Sequence, residues 1–189
     1  MSALNNALLF LISTVFDLYL FILVVRVLLV YAGVNYFDPI TQFIVRCTDF
    51  LVKPVRRIIP NIRGIEVASL VIIVALEFIK YLLIASISFD SLSPVGLFII
   101  AVADTLKIIL QTMFYSIIVQ AVLSWVQPGS PMNNVLYKIN APIMRPIQRL
   151  CPTVGGMDIS PIPAMILLQL LIIVIVNPLM AIGLGASLG

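Results

Sequence analysis

Lys53-Pro54-Val55-Arg56-Arg57-Ile58-Ile59-Pro60 is answered, 92 residues further on, by Arg145-Pro146-Ile147-Gln148-Arg149-Leu150-Cys151-Pro152. The same register pairs Pro39 with Pro131, Arg57 with Arg149, Gly64 with Gly156, and Glu66 with Asp158. Proline fills only about one position in twenty of an average sequence, so chance is a poor source for this spacing. A fixed internal register reads as duplication. Each copy stands between two long apolar stretches, which divides the chain into repeats at residues 1–92 and 93–189.

The chain has 189 residues, 62% of them hydrophobic and 10% charged, with a mean hydropathy of +1.19. That is membrane composition. The apolar stretches run over 8–31, 67–89, 95–126 and 162–184, and each reaches the roughly 20 residues a helix needs to cross a hydrocarbon core. The third exceeds that length and is expected to tilt, kink or run past the membrane surface. The sequence therefore predicts an all-α integral membrane protein with four transmembrane helices. The first stretch lacks a basic leader and is too long for a signal peptide, so it is expected to remain in the mature protein. Neither Cys47 nor Cys151 lies near a terminus, where a lipidation signal would place it.

Orientation follows from the cations. Arg26, Lys80 and Lys107 lie inside apolar spans; the other eight of the eleven Lys and Arg fall in the connections after the first and third spans. The positive-inside rule then puts both basic connections in the cytoplasm and the termini and the 90–94 turn outside. Two spans per copy insert both copies the same way round, a parallel tandem repeat rather than an inverted one.

Within 39–59, apolar residues recur at three- and four-residue steps with Arg46, Asp49, Lys53, Arg56 and Arg57 between them. This is an amphipathic helix pattern. The second copy repeats it with Lys138, Arg145 and Arg149. Pro39 and Pro131 suit a first helical turn, whereas Pro54, Pro142 and Pro146 are expected to break or bend the helix. Each segment reads as a short helix in the headgroup plane, apolar face down and cations up. The basic motif Lys53, Arg56, Arg57, Arg145 and Arg149 would then meet anionic lipid of the cytoplasmic leaflet, or serve as a docking platform for a partner. Beyond each motif, Gly64-Ile65-Glu66 and Gly155-Gly156-Met157-Asp158-Ile159-Ser160-Pro161 signal a turn into the next helix. Ser160 is placed as N-cap and Pro161 as first helical residue. Glu66 and Asp158 sit where a helix dipole favours an anion.

The string from Ala141-Pro142-Ile143-Met144-Arg145-Pro146 through Gly156-Met157-Asp158-Ile159-Ser160-Pro161 resembles the signature of the YggT family, called YlmG in Gram-positive bacteria and chloroplasts. The tandem arrangement resembles the Gram-negative members. Gln148 departs from the family pattern by replacing an expected second arginine, and the first copy ends Val67-Ala68-Ser69 where the second ends Ile159-Ser160-Pro161. The resemblance implies an inner-membrane protein linked with extracytoplasmic or osmotic stress and potassium homeostasis, or with division or cofactor assembly. It supplies no catalytic residue.

Six ionisable residues fall inside the spans: Asp17, Arg26, Glu77, Lys80, Asp104 and Lys107. An unpaired charge at the bilayer centre costs about 2.5–3.5 kcal/mol on insertion scales, so pairing is expected. Glu77 with Lys80, and Asp104 with Lys107, are one helical turn apart. Asp17 and Arg26, nine residues apart, are out of phase and need partners on other helices. A 94-residue offset aligns Asp17 with Gln111 and Arg26 with Gln120, and the 92-residue offset aligns Glu77 with Gln169. These nine residues read as one polar belt, lining a cation pathway or holding helices together, within a central cavity or a homo-oligomer.

There is no histidine, and the two cysteines lie in separate connections. No metal, cofactor or catalytic site is expected. Both cysteines are expected to be reduced thiols. Membrane topology accounts for the positive charge, which leaves nucleic acid no role as a partner. The expectation is a non-enzymatic membrane protein of the osmotic stress response affecting cation balance; the alternative is a scaffold recruiting a division or assembly complex through its basic helices.

Overall fold

The computed structural model describes residues 3–34, 39–61, 64–88, 93–127, 129–150 and 158–188. All elements among them are helical: α1 (Ala3–Tyr31), α2 (Pro39–Arg56), α3 (Val67–Ser88), α4 (Pro94–Val126), α5 (Pro131–Gln148), α6 (Pro161–Leu171) and α7 (Asn177–Leu188). A π-helical segment, Ile172–Val176, joins α6 to α7 into one span. Four helices are long and apolar enough to cross a membrane: Ala3–Tyr31, Val67–Ile87, Pro94–Val126 and Pro161–Ser187. They are apolar on every side, as lipid-facing helices are.

The π-helical segment has a local cause. Pro178 has no N–H to donate, and its ring would press on the carbonyl one turn earlier. One wider turn ahead of it, with the Asn177 N–H bonded to the Ile172 carbonyl, absorbs the mismatch without ending the helix.

α4 is the most buried span and touches every other helix except α2. One apolar core forms where the second half of α1 meets α2 and α3, around Leu20, Leu23, Val24, Val52 and Ile73. A second forms where α4 meets α5 and α6, around Ile117, Met144, Ala164 and Leu168. α4 and α7 approach closely because two glycines stand between them. A Cβ on Gly96 would lie 2.5 Å from the Ser187 backbone, and one on Gly183 2.7 Å from the Ile100 side chain. Ser93 closes this end: its N–H and hydroxyl donate to the Ser187 and Ala186 carbonyls, at 3.1 and 2.6 Å.

Three expectations change. Pro54, Pro142 and Pro146 all lie inside helices that continue past them. They and the residues one turn before them (Phe50, Lys138 and Pro142) are exposed, so the carbonyls deprived of a donor sit on the outward face. Ser160 precedes α6 but makes no cap hydrogen bond; Asp158 Oδ1 accepts from the Ser160 N–H instead, at 2.9 Å. Finally, α2 is not simply apolar side down. Thr41, Ile44, Thr48 and Val52 face the bundle, whereas Phe43 and Phe50 are exposed alongside the cations. Gly64 does hold a left-handed turn, at φ 84°. Pro152 and Gly156 lie outside the described residues.

Candidate polar network and basic face

The structure divides the expected single belt by depth. Asp17 lies midway along α1, about 21 Å from either end at 1.5 Å per residue. There Lys80 gathers three carboxylates: Glu77 Oε2 at 2.6 Å, Asp17 Oδ1 at 3.0 Å and Asp104 Oδ2 at 3.1 Å. Asp104 is held further by the Tyr81 hydroxyl, which donates at 2.8 Å, and by Lys107 at 3.8 Å. The two one-turn pairs form as their spacing anticipates, and Asp17 finds its partner on α3. Glu77 and Lys80 are buried, but the Asp17 side chain is 55% exposed on the bundle's outer side. Formally, three carboxylates face two ammonium groups. Among the described residues no group of three His, Cys, Asp or Glu side chains is arranged to hold a metal ion.

Arg26 belongs to a separate cluster five residues from the end of α1, about 8 Å. Its Nε donates to Glu66 Oε2 at 2.7 Å and its Nη2 to Glu66 Oε1 at 3.1 Å, a two-pronged clamp on the residue that opens α3. Nη1 donates to the Thr48 hydroxyl at 2.8 Å and to Asp49 Oδ1 at 2.9 Å, both on α2. One guanidinium thus ties three helices together. Ser69 donates to Glu66 Oε2 at 2.6 Å, and Arg56 approaches Oε1 at 3.6 Å. Burial alone would raise the Glu66 carboxyl; the hydrogen bonds from Arg26 and Ser69 outweigh it and hold that group below its ordinary value. Asp49 is likewise lowered: burial opposes ionisation, and bonds from Lys53 and Arg26 prevail.

The second half makes related contacts with neutral groups. Asn140 Nδ2 donates to Gln120 Oε1 at 2.7 Å and Asn140 Oδ1 accepts from the Ser116 hydroxyl at 2.5 Å. Gln148 Nε2 donates to Asp158 Oδ2 at 2.8 Å. By the sequence registers Gln120 answers Arg26, Asn140 answers Thr48, Gln148 answers Arg56 and Asp158 answers Glu66. So Arg26–Thr48 corresponds to Gln120–Asn140, and Arg56–Glu66 to Gln148–Asp158. Asp158 too is held low, burial being outweighed by bonds from Ser160 and Gln148. Gln111 is half-buried and Gln169 exposed, and neither has a hydrogen-bond partner among the described residues; they do not join a belt.

Thr48, Asp49, Ser69, Tyr81, Ser116 and Asn140 escaped the sequence reading of the polar network. Only Asn140 left a signal: it interrupts the apolar stripe of α5 four residues after Leu136, and it is fully buried.

The basic motif is split as well. Lys53 pairs with Asp49 at 2.8 Å and Arg56 with Glu66. Arg46, Arg57, Lys138, Arg145 and Arg149 are exposed, with no carboxylate partner among the described residues. Beside them Ile58 and Leu150, equivalent in the 92-residue register, are 83% and 84% exposed.

Comparison with known proteins follows this geometry. The CCB3/YggT family pattern matches residues 5–87 and again 99–179. The chain is 35% identical over 179 residues to the uncharacterized protein YggT of Escherichia coli strain K12, covering 94% of both chains. It is 34% identical over 200 residues to an uncharacterized protein of Pseudomonas aeruginosa, covering 96% of this chain and 94% of that one. A protein of Vibrio alginolyticus is 36% identical over 168 residues, with 87% and 90% covered. No solved structure matches the chain.

Proposed function

This chain belongs to the CCB3/YggT family, and on that premise we propose that it is a non-enzymatic inner-membrane scaffold whose basic cytoplasmic face recruits a protein assembly. In this reading it is a parallel tandem repeat, termini in the periplasm, with α2 and α5 lying at the cytoplasmic surface. The equivalent contacts in the two halves support the repeat.

One observation carries the functional reading: the cations divide by partner. Arg26, Lys80 and Lys107, inside the spans, are all paired with carboxylates. Five exposed cations on α2, α5 and their ends are not. An unneutralised row of positive charge beside exposed Ile58 and Leu150 suits an acidic partner that also buries apolar surface. Effects on osmotic tolerance and cation balance would follow from losing that assembly.

A second reading, direct action on cations, draws on the three carboxylates around Lys80 and the half-exposed Asp17, because intramembrane carboxylates mark ion paths. Complementing cells that lack the protein separates the two. Arg57→Glu with Arg145→Glu and Arg149→Glu should release co-purifying partners and abolish salt tolerance, while Asp17→Asn leaves both intact. If the triple reversal keeps every partner and full tolerance, the scaffold reading fails; if Asp17→Asn alone lowers potassium content and tolerance, the second reading takes its place.

A further inference from the structure

A cavity of about 410 Å³ opens between the two halves of the molecule, walled by α1 and α2 on one side and α4 and α5 on the other. Its walls are matched. Phe21 and Tyr115, Val25 and Val119, and Ile44 and Leu136 are equivalent by the sequence registers that relate the repeats, and all line it. The lining is apolar in effect even where hydroxyls occur. The Thr112 hydroxyl is committed to the Ile108 carbonyl at 2.7 Å, and that of Ser116 to Asn140 and to the Met113 carbonyl. The surface open to the cavity is apolar throughout.

One helical turn beyond the lining the chemistry changes. Arg46 lies one turn beyond the lining residue Phe43, and Lys138 one turn beyond the lining residue Val135. The two cations are equivalent in the 92-residue register, both exposed, and neither has a carboxylate partner among the described residues. We infer that this cavity is a lipid site: it seats an acyl chain of an anionic phospholipid, whose phosphate is held between Arg46 and Lys138.

A helix with its side chains is about 10 Å across. A hydrocarbon chain is narrow enough to enter along its length. The volume also lies within the roughly 300–1,000 Å³ usual for sites of small ligands. Charge one turn beyond apolar walls matches a molecule that is anionic at one end and apolar along the rest. The inference shares Arg46 and Lys138 with the scaffold reading, but that reading is tested at Arg57, Arg145 and Arg149, none of which lines the cavity, so the two can fail separately.

The test uses the full chain, purified in detergent and passed through a delipidating wash, then read by native mass spectrometry. Phosphatidylglycerol and phosphatidylethanolamine are supplied in turn in mixed micelles. The unaltered protein should retain one phosphatidylglycerol. Arg46→Gln with Lys138→Gln should lower its preference for phosphatidylglycerol over phosphatidylethanolamine by about thirtyfold, each cation near an anionic surface contributing about fivefold. Val119→Trp, which fills the cavity from the α4 side, should prevent retention of either lipid while eluting as a single unaggregated species. Retention that survives Val119→Trp, a preference unchanged by the double substitution, or a retained mass that is a second copy of the chain or a neutral isoprenoid would each overturn the assignment. Because the two variants act on opposite ends of the lipid, failure of one to fold still leaves the other to decide.

Discussion

Glu66→Gln is the substitution that presses hardest on the structure. The change keeps the shape of the side chain and removes its charge, leaving Arg26 nearly fully buried with the Asp49 carboxylate as its remaining anion at 2.9 Å. Breaking a buried ion pair from one side costs about 3–5 kcal/mol when the remaining charge is uncompensated. Here Asp49 persists and an amide oxygen can still accept one bond, so the expected cost falls to about 2–3 kcal/mol. In a chain of this size each kcal/mol moves a melting temperature by about 2–4 °C, which makes the expected drop about 4–12 °C. Thermal unfolding in detergent, followed by the loss of monodisperse protein, reads it directly. Arg26→Gln should cost a comparable amount, and the double variant should cost clearly less than the two singles together, because both remove one contact. A melting temperature within about 1 °C of the unaltered protein, or strictly additive losses, would refute the clamp as the tie between α1 and α3.

Three further outcomes follow from the same geometry. Lys80→Met leaves Asp17, Glu77 and Asp104 without their common cation and should lower the yield of folded protein in membranes far more than Asp17→Asn, measured by quantitative extraction of both. Gly96→Val drives a side chain into the Ser187 backbone and should destabilise by about 1–3 kcal/mol, whereas Gly64→Ala, with open space around it but φ 84°, should cost about 1–2 kcal/mol from backbone strain alone; thermal unfolding of each checks both. Stability should also fall in acid. Glu66, Asp49 and Asp158 are all lowered in the folded state, so their contribution is complete above their ordinary values near 4 and is lost as pH drops through the lower folded values; melting temperatures from pH 7 to pH 3 should decline in the acid range, and less so for Glu66→Gln.

The four spans and the one-turn pairs Glu77–Lys80 and Asp104–Lys107 were legible because they depend on length, hydropathy and helical period alone. So was the need of Asp17 and Arg26 for partners on other helices. The identity of those partners was not, since it is set by how helices cross. Arg26 and Asp17 are nine residues apart in one helix, and nothing local says that one meets α2 and α3 near its end while the other meets α3 at mid-span. Asp49 looked like one charge among several on a basic helix; only packing reveals that it faces Arg26 as well as Lys53. The prolines do not break their helices: a propensity argument ignores surroundings, and the residue one turn before each proline is exposed. Ser160 misled because its cap would need a donor two or three residues on: Pro163 has no N–H, and the Ile162 N–H donates to the Ile159 carbonyl at 3.1 Å.

The halves diverge in a way that separates what holds each one together from what each one presents. Where helices are tied together, buried Arg26 and Thr48 and exposed Arg56 are answered by Gln120, Asn140 and Gln148, so one half is tied by ions and the other largely by amides. The exchange is workable only as a set: Asp49, which helps to neutralise Arg26, is answered by Ala141, and a lone arginine at position 120 would find no second carboxylate beside it. At three other exposed positions charge is kept. Arg46 is answered by Lys138, Lys53 by Arg145 and Arg57 by Arg149, although Arg145 has lost the carboxylate that its counterpart Lys53 binds. Stability alone asks nothing of these exposed positions, since isolated surface cations contribute little to it. A positive charge retained where the interior has changed its chemistry answers first to the positive-inside rule, which asks the same of both halves, and it leaves both halves presenting the same cationic face to whatever meets them.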